Sequence, residues 1–469
     1  MFYNRSAELS FLEEKWGESH ANLVVVYGRR RLGKTELVKE LIKEKRALYL
    51  FVNDAEENAL LASFAQEMQR QLNTPYVLTN ITSFFDALVE LSSQKIVVIF
   101  DEFQRFKTNA PRFITELQNR WDSDLRKQKL LLLLVGSSIG MMQRIALSSS
   151  GALYKRKTGA LQIQPFPYRE FRRVFSDYTE EERIHLYSIF GGTPDYFTKI
   201  SSPNIEKELL ERILQKEAPL YDEPQNLLET ESKRSGRYNT ILQSIAEGKT
   251  TLKEISDQLR LPQSSIPPYI KELCKLLDVI QPDEPIFGKQ KNTRFRFKDP
   301  FFAFWYLFVY PNRSTLEIKN PGPVIDQIHA NLPAFEGRIF EEICRELLLY
   351  KNNGKIGQIP LSIASIGRWW DRRGTAEIDI VAKNGSGTLL GEIRYANKAM
   401  EYGVIQDLVE RKQKLLLETG KMPSGKIHYV FFSKNGFTIQ CQKYAEQIGA
   451  ELVDLKRLSQ LFENKNEEI

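Results

Sequence analysis

The sequence contains little that could build a disulfide framework, a zinc site or a membrane span. Its 469 residues include three cysteines, Cys274, Cys344 and Cys441, which lie far apart. An odd number of widely spaced cysteines argues against paired disulfides and a cysteine zinc site, and it suits a reducing compartment. The four histidines are isolated from one another, and no apolar run reaches the ~18 residues of a transmembrane helix. Because the first residues lack a signal-peptide pattern, we expect a cytoplasmic protein without a membrane partner.

The charge of the chain is unevenly distributed. The formal net charge is +6, and residues 231–300 contain 13 Lys and Arg against 9 Asp and Glu, a net +4. This excess modestly favours an anionic partner for that region. A soluble protein with ordinary surface lysines would show the same numbers, so the charge alone leaves both interpretations open.

A glycine-rich loop follows the apolar run Leu23–Tyr27 and precedes a helix-like stretch, Glu36–Glu44. It matches the pattern G-x-x-x-x-G-K-[ST] at every fixed position, in the strand–loop–helix setting of a phosphate-binding loop. Glycines let backbone N–H groups close around phosphate oxygens, and the helix N-terminus adds partial positive charge. Lys34 would reach the β- and γ-phosphates, and the Thr35 hydroxyl would ligate Mg²⁺. The predicted nucleotide-binding residues are Gly28, Arg29, Arg30, Arg31, Leu32, Gly33, Lys34 and Thr35.

A second apolar strand, Lys95–Phe100, ends in Asp101 and Glu102. A carboxylate at the carboxyl end of a central parallel strand is where a nucleotide's Mg²⁺ is held. We predict that Asp101 holds the metal through water and that Glu102 orients and deprotonates the attacking water. Together, the loop and this strand predict an NTP-hydrolysing domain.

Two further residues are candidates for contact with the γ-phosphate. Ser137 follows the buried strand Leu130–Val135, so it would lie at the same edge of the sheet, although a turn serine that caps the next helix fits equally well. Arg156 lies in a basic loop and would stabilise transition-state charge, in cis or from a neighbouring chain. The alternative for Arg156 is a plain surface arginine.

Strands alternate with helices through residues 1–165, which predicts a parallel sheet covered on both faces. Residues 166–230 look helical, with a sharp break at Gly191–Tyr196. We expect them to form a helical lid over the nucleotide.

Five segments carry a resemblance to the archaeal-type ATPase family. They are Gly28–Thr35, the Asp101–Glu102 strand, Gly136–Ser138, Pro165–Phe171 and Gly191–Tyr196. This is a P-loop family close to the AAA+ and STAND ATPases, and it is also found in bacteria. The resemblance covers roughly residues 1–230. It implies binding of ATP and Mg²⁺ and slow ATP hydrolysis, without indicating what the hydrolysis drives.

Residues 237–300 show a different pattern, with three amphipathic helices followed by two short strands. The helices are predicted at 238–247, 251–259 and 264–277, and the strands at 279–280 and 293–297. This pattern resembles a winged helix-turn-helix, in which the third helix would enter the DNA major groove and the wing would touch phosphates. The basic residues around the wing are Lys289, Lys291, Arg294, Arg296 and Lys298. Winged helices also serve as protein-contact modules, and the third helix offers only Lys271 and Lys275, offset by Glu272.

The run Phe301–Tyr310 is almost entirely aromatic and apolar. We expect it to form a buried helix, because basic residues do not interrupt it as they would in a base-stacking surface. The stretch Pro311–Pro323 is predicted to be a linker.

The last domain is predicted to be α/β, with strands at Glu377–Val381 and Leu389–Arg394 joined by a hairpin turn. It resembles a domain of unknown function that is often fused to such ATPases and is similar to the PD-(D/E)XK nucleases. The resemblance implies a second Mg²⁺ site at Glu336, Asp379 and Glu392, where a metal would activate water against a phosphodiester. Arg394 stands where that superfamily has lysine. Arginine does not surrender a proton, so the resemblance to nucleases leaves three interpretations open. The domain could cleave DNA, bind it without cleavage or be structural.

The sequence therefore predicts a cytoplasmic ATPase with ATP and Mg²⁺ as cofactors. Its predicted parts are a P-loop core (1–165), a helical lid (166–230), a winged helix with the aromatic helix (231–310), a linker (311–330) and a restriction-endonuclease-like domain (331–469). The favoured function couples ATP hydrolysis to binding or remodelling of double-stranded DNA through residues 237–300 and 331–469. The alternatives are a STAND-type signalling or assembly switch that binds protein partners or forms homo-oligomers, and an ATP-regulated DNA nuclease.

Overall fold

The computed structural model describes residues 5–231, 235–287, 293–371, 374–385, 387–420, 422 and 425–463. The predicted wing residues Lys289 and Lys291 lie outside the described residues. The chain divides into two compact units, Met1–Pro165 with Lys271–Asp278, and Phe166–Ile270 with Val279–Ile469. In the described part of the chain, no helix combines the length and the apolar character that crossing a membrane demands.

The first unit alternates strands with helices. Its strands are β1 (Asn22–Tyr27), β2 (Ala47–Phe51), β3 (Ile96–Asp101), β4 (Leu130–Gly136) and β5 (Gly159–Gln162). Its helices are α1 (Ser6–Gly17), α2 (Lys34–Ile42), α3 (Glu57–Leu72), α4 (Ile81–Leu91), α5 (Phe106–Asn109), α6 (Pro111–Ser123) and α7 (Ile139–Met142).

The five strands form one parallel sheet in the order β2-β3-β4-β1-β5. Every residue of β3 and β4 is buried, as expected for parallel strands covered on both faces. Side chains of β1, β3 and β4 alternate between the two faces. Leu23 and Val98 pack into a core with α3, α4 and α6, whereas Val24 and Ile99 pack into a core with α1 and α2. The predicted parallel α/β fold is therefore confirmed.

The second unit begins with helices. They are α8 (Tyr168–Val174), α9 (Glu180–Phe190), α10 (Pro194–Phe197), α11 (Ile205–Leu209), α12 (Glu223–Glu231), α13 (Ser235–Ala246) and α14 (Leu252–Leu259). Helices α9 and α14 start with reciprocal capping boxes, Thr179 with Glu182 and Thr251 with Glu254, which satisfy N–H groups that a helix start leaves unpaired. The next helix, α15 (Pro267–Lys275), contributes residues to both units.

A two-stranded antiparallel ribbon follows α15. It consists of β6 (Ile280–Asp283) and β7 (Arg294–Phe297). The aromatic run then forms the short helix α16 (Pro300–Phe304) and a turn of π-helix, Trp305–Val309. Its rings are buried, including Phe301, Phe304 and Trp305, so the predicted buried helix is confirmed.

The prediction of a linker after this run is wrong. Helix α17 (Arg313–Glu317) follows, and the long helix α18 (Gly322–Tyr350) starts only a few residues later. Pro323 lies in the first turn of α18, where a missing N–H group costs nothing because that group has no partner within the helix.

A second sheet forms the core of the C-terminal region. Its strands are β10 (Ile363–Trp370), β11 (Glu377–Asn384), β12 (Gly387–Arg394), β13 (Ile427–Ser433) and β14 (Glu451–Asp454), after a small ribbon of β8 (Lys355–Ile356) and β9 (Ile359–Pro360). They lie in sequential order, with antiparallel pairs from β10 to β12 and parallel pairs from β12 to β14. The helices between and after them are α19 (Tyr402–Asp407), α20 (Gln413–Leu417), α21 (Ile439–Ile448) and α22 (Leu455–Glu463).

Candidate nucleotide-binding site

The glycine-rich loop connects the end of β1 to the start of α2. Gly33 has φ +83°, a left-handed conformation that favours glycine. A Cβ at Gly28 would lie 2.4 Å from the backbone oxygen of Ile163, so a larger residue would displace the neighbouring chain. Both glycines are thus required by the backbone path that the loop follows.

Lys34 closes the loop on itself. Its Nζ donates to the carbonyl oxygens of Gly28 at 2.8 Å and Arg29 at 2.6 Å, and the side chain is buried. The ammonium group therefore already lies inside the loop, at the place where phosphate oxygens would be surrounded by backbone N–H groups and the helix N-terminus.

The metal-binding residues predicted from the sequence meet directly. The Thr35 hydroxyl donates to Asp101 Oδ2 at 2.8 Å, and Asp101 Oδ1 accepts from the N–H of Glu102 at 2.9 Å. A hydroxyl and a carboxylate oxygen in contact are the hard oxygen donors that Mg²⁺ prefers. These residues fit a nucleotide-bound Mg²⁺, which also takes phosphate oxygens and water as ligands.

Tyr49 is a site residue that the sequence did not reveal. Its hydroxyl donates to Asp101 Oδ2 at 2.6 Å. Burial, followed by this hydrogen bond, raises the pKa of the Tyr49 phenol well above its ordinary value, so the group remains a proton donor. Tyr49 pairs with Ile99 in the parallel register, which puts Tyr49 and Asp101 on one face of neighbouring strands. The contact could therefore be predicted only with knowledge of how β2 pairs with β3.

The predicted general base, Glu102, is held by two other side chains. Its Oε2 accepts from the Ser137 hydroxyl at 2.8 Å and from Gln104 Nε2, and Gln104 Nε2 also donates to Ser137 Oγ at 3.1 Å. Glu102 has φ +59°, an uncommon backbone conformation for a residue with a side chain. Gln104 was missed by sequence reasoning because it matches no motif.

The sheet order explains why Ser137 reaches Glu102. Strand β4 lies between β1, which carries the loop, and β3, which carries Asp101 and Glu102. The residue after β4 therefore lies between the two motifs at the carboxyl edge of the sheet. Ser138, not Ser137, caps α7, and its side chain accepts from the N–H of Met141.

Arg5 fixes the loop from outside. The Arg5 guanidinium is buried and donates to the carbonyls of Leu32 at 3.1 Å and Gln164 at 2.8 Å, and it pairs with Glu8 at 2.9 Å. In the loop itself, Arg30 and Arg31 are exposed and Leu32 is buried.

Arg156 binds elsewhere in this conformation. Its Nε lies 3.0 and 3.1 Å from the two carboxylate oxygens of Asp122, and its Nη2 donates to Asp122 Oδ2. Its Nη1 donates to Ala152 O at 2.9 Å. A contact with the γ-phosphate in cis would require that pair to open, so the role of Arg156 stays a prediction.

The second metal site predicted at Glu336, Asp379 and Glu392 is not assembled among the described residues. Buried Glu336 binds His185 Nδ1 of α9, whereas Asp379 and Glu392 line a cavity that Glu336 does not reach. Glu341 lines that cavity instead. It lies five positions further along α18, about 140° around the helix at ~100° per residue. Among the described residues, no group of three His, Cys, Asp or Glu side chains is arranged to hold a metal.

The cations around these carboxylates also differ from the motif. Lys412 Nζ lies 2.8 Å from Glu392 Oε1, whereas Arg394 lies 3.8 Å from Asp379 and 3.6 Å from Glu392. Burial, and next the charge of Asp379, raises the pKa of Glu392 to about 8. Lys412 was not singled out from the sequence because it lies on a distant helical segment.

Comparison with known proteins adds to this geometry. A family described as an ATPase domain predominantly from Archaea matches residues 2–200, and a family of archaeal and bacterial proteins of unknown function matches residues 305–405.

Two relatives come from Methanocaldococcus jannaschii. An uncharacterized protein is 31% identical over 389 residues, which is 82% of this chain and 84% of the relative. An uncharacterized ATP-binding protein is 56% identical over 46 residues, 10% of this chain and 78% of the relative. Among solved structures, the Walker-type ATPase of Pyrococcus abyssi superimposes with a TM-score of 0.51 at 19% identity, over 65% of this chain and 96% of that one. The last likeness is one of fold.

Proposed function

We propose a function from one premise: the chain belongs to the archaeal-type family of P-loop ATPases. It is an ATPase, and we propose that its nucleotide site is the loop Gly28–Thr35 with Asp101, a proposal supported by the contact of Thr35 with Asp101. We infer that hydrolysis depends on Mg²⁺ and is coupled to the binding of double-stranded DNA by residues 237–300 and 331–469.

The proposed hydrolysis assigns one task to each side chain. Lys34 would leave the loop carbonyls for the β- and γ-phosphates, and Thr35 and Asp101 would hold Mg²⁺, which neutralises developing phosphate charge. Glu102 would orient water and take its proton. The Ser137 hydroxyl donates a hydrogen bond to Glu102. A change at the γ-phosphate would therefore alter the position of the segment that follows β4.

The coupling of ATP hydrolysis to DNA binding is supported by one observation: residues 271–278 belong to the same compact unit as the nucleotide-binding loop. Gln143 Nε2 donates to the carbonyl of Lys275 at 2.9 Å, and Gln162 Nε2 donates to Asp278 Oδ2 at 3.3 Å. A Cβ at Gly140 would lie 3.2 Å from Leu276 Cβ. Gly140 is three residues after Ser137, so the segment that contacts Glu102 also packs against the chain at the end of α15.

Helix α15 is the third helix of the proposed winged helix-turn-helix. Three helices followed by the β6–β7 ribbon support this assignment. Lys271 and Lys275 are exposed on α15, where they would contact phosphates of a duplex. Nucleotide-dependent movement of the Ser137 segment would then change how α15 presents these lysines.

The variant Lys271→Gln/Lys275→Gln tests the coupling. We expect it to weaken binding of a labelled duplex, to make the salt dependence shallower by ~0.9 per lost phosphate contact and to reduce any DNA stimulation of ATP turnover. The matched control, Lys39→Gln/Lys43→Gln, removes the same charge from exposed positions at α2. Equal losses in both variants, or none in either, would contradict the assignment of α15.

A protein-binding switch is the second candidate, favoured by a specific contact. Arg294 and Arg296 of the β6–β7 ribbon bind carboxylates of this chain, as a protein-contact module would. The switch predicts a change in oligomeric state between ATP- and ADP-loaded protein, measured by light scattering, without duplex affinity. A constant oligomeric state together with salt-sensitive duplex binding would contradict it.

A further inference from the structure

The arginines of the β6–β7 ribbon are bound by carboxylates of the C-terminal region. Arg294 Nη1 lies 2.9 Å from Glu377 Oε2, and its guanidinium lies 4.3 Å from the centre of the Trp370 ring. Arg296 Nη1 lies 2.9 Å from Glu342 Oε1. Each arginine therefore has a carboxylate partner at the distance at which it would bind a phosphate oxygen.

Apolar residues after β6 strengthen this contact. Ile286 and Phe287 pack against the hydrophobic core that contains Trp369. The N–H of Ile286 donates to the carbonyl of Arg368 at 2.8 Å. Since β10 is an edge strand of its sheet, this hydrogen bond covers part of an edge that would otherwise be open to another chain.

The carboxylates on the receiving side are held ready for cations. Glu342 also binds Arg345 at 2.7 Å, and Arg368 lies 3.4 Å away. Burial acts to raise the pKa of Glu342, but Arg345, Arg296 and Arg368 outweigh it and lower that pKa to about 2. Glu342 therefore keeps its negative charge at any working pH.

The docked ribbon also borders the cavity that contains Asp379 and Glu392. The residues that line this cavity of about 1000 Å³ include Arg294, Arg296, Glu341 and the two carboxylates. Movement of the ribbon would therefore open the cavity as well as expose the arginines.

We propose that Arg294 and Arg296 form a binding surface for the phosphodiester backbone of duplex DNA, and that Glu377 and Glu342 occupy this surface in place of phosphates. The inference rests on the proposed DNA-binding function. It makes the C-terminal region and the DNA backbone competitors for the same two guanidinium groups. DNA binding by α15 and release of the ribbon become separate steps, of which the second adds two phosphate contacts.

The test uses the full-length chain with the substitutions Glu342→Gln/Glu377→Gln, which we call the released variant. The substitutions remove the two half-buried ion pairs that join the arginines to the C-terminal region. We expect binding of a labelled random-sequence duplex to tighten about 2- to 30-fold at low salt. The slope of log affinity against log salt should steepen by about 1.8, at ~0.9 per phosphate. The matched control, Glu401→Gln/Glu418→Gln, removes two exposed carboxylates of the same region. It should change the duplex affinity and the salt slope by less than Glu342→Gln/Glu377→Gln does.

Two further variants make the test specific. Adding Arg294→Gln/Arg296→Gln to the released variant should return the salt slope to the wild-type value. Ile286→Cys/Gly367→Cys should lock the ribbon when oxidised, because a Cβ at Gly367 would lie 2.9 Å from Ile286 Cγ1. The oxidised lock should keep the wild-type slope even with the two glutamine substitutions, and reduction should release it.

The outcomes separate this inference from the proposed function. If wild type binds the duplex and the released variant binds it with unchanged affinity and slope, the ribbon inference is overturned while the DNA-binding function stands. If neither the wild type nor the released variant binds duplex at low salt, although both melt cooperatively, both proposals are overturned. A steeper slope that survives loss of both arginines also overturns the ribbon inference.

Discussion

Replacing Tyr49 with phenylalanine would remove the hydroxyl that donates to Asp101 Oδ2 at 2.6 Å. Thr35 donates to the same oxygen, so in the proposed Mg²⁺-bound state, where the Thr35 hydroxyl turns to the metal, Tyr49 is left to hold that oxygen in place. A hydrogen bond to a charged group contributes ~1.5–3 kcal/mol. At ~1.4 kcal/mol per tenfold, its loss corresponds to a factor of about 10 to 100.

The assay for Tyr49→Phe is ATP turnover as a function of Mg²⁺ concentration. We expect the half-saturating Mg²⁺ concentration to rise by about that factor, whereas turnover at saturating Mg²⁺ should fall much less. Tyr76→Phe is the matched control, because its phenol lies in the same unit beside Glu90 and away from Asp101. An unchanged Mg²⁺ requirement, or a loss of turnover that no Mg²⁺ concentration restores, would refute the positioning role.

Three other predictions concern single side chains. Lys34→Ala should abolish ATP turnover, because the ammonium that enters the loop is lost; unchanged turnover would show that the site is elsewhere. Glu102→Gln should still bind a fluorescent ATP analogue but fail to hydrolyse ATP, and loss of binding would remove its role as a base. Burial raises the pKa of Glu346 to about 7 although it accepts the N–H groups of Tyr168 and Arg169. Between pH ~4.5 and ~7 the folded state therefore holds a proton that the unfolded chain, with its ordinary pKa of 4.5, has released. The contribution of Glu346 to the free energy of unfolding should be complete below pH ~4.5 and should decline by up to roughly 3 kcal/mol as pH rises to ~7. Glu346→Gln should make the free energy of unfolding depend less on pH between these two values. An unchanged dependence on pH would contradict the raised pKa of Glu346.

The sequence was sufficient for the parts of the site that follow from local pattern. The loop Gly28–Thr35 and the acidic end of β3 are defined by residue types at fixed spacing, and both lie where predicted. Ser137 could be placed at the carboxyl edge because parallel strands end together. Its contact with Glu102 depends in addition on β4 lying between the two motifs.

Contacts between elements that are distant in the chain could not be predicted in the same way. Tyr49 reaches Asp101 only because β2 pairs with β3 in one register, and Lys412 reaches Glu392 from a separate helical segment. A single sequence contains no signal for either pairing. Glu336 was misplaced for a related reason, since a motif gives a position in the chain and leaves the direction of a helical side chain open.

The linker predicted at Pro311–Pro323 is replaced by the helices α17 and α18. Pro323 instead occupies the first turn of α18, where proline's fixed φ suits a helix start. Pro267 and Pro268 likewise lie in the first turn of α15. Position within an element, which the sequence did not settle for Pro323, decides what a proline does.

The most direct test of the central claim is steady-state ATP turnover against added duplex DNA at low and high salt, with Lys34→Ala as the inactive control. The account predicts that duplex stimulates turnover at low salt and that the stimulation fades at high salt, because phosphate contacts are lost to counterions. Turnover that is indifferent to duplex at both salt concentrations would contradict the coupling of this ATPase to DNA.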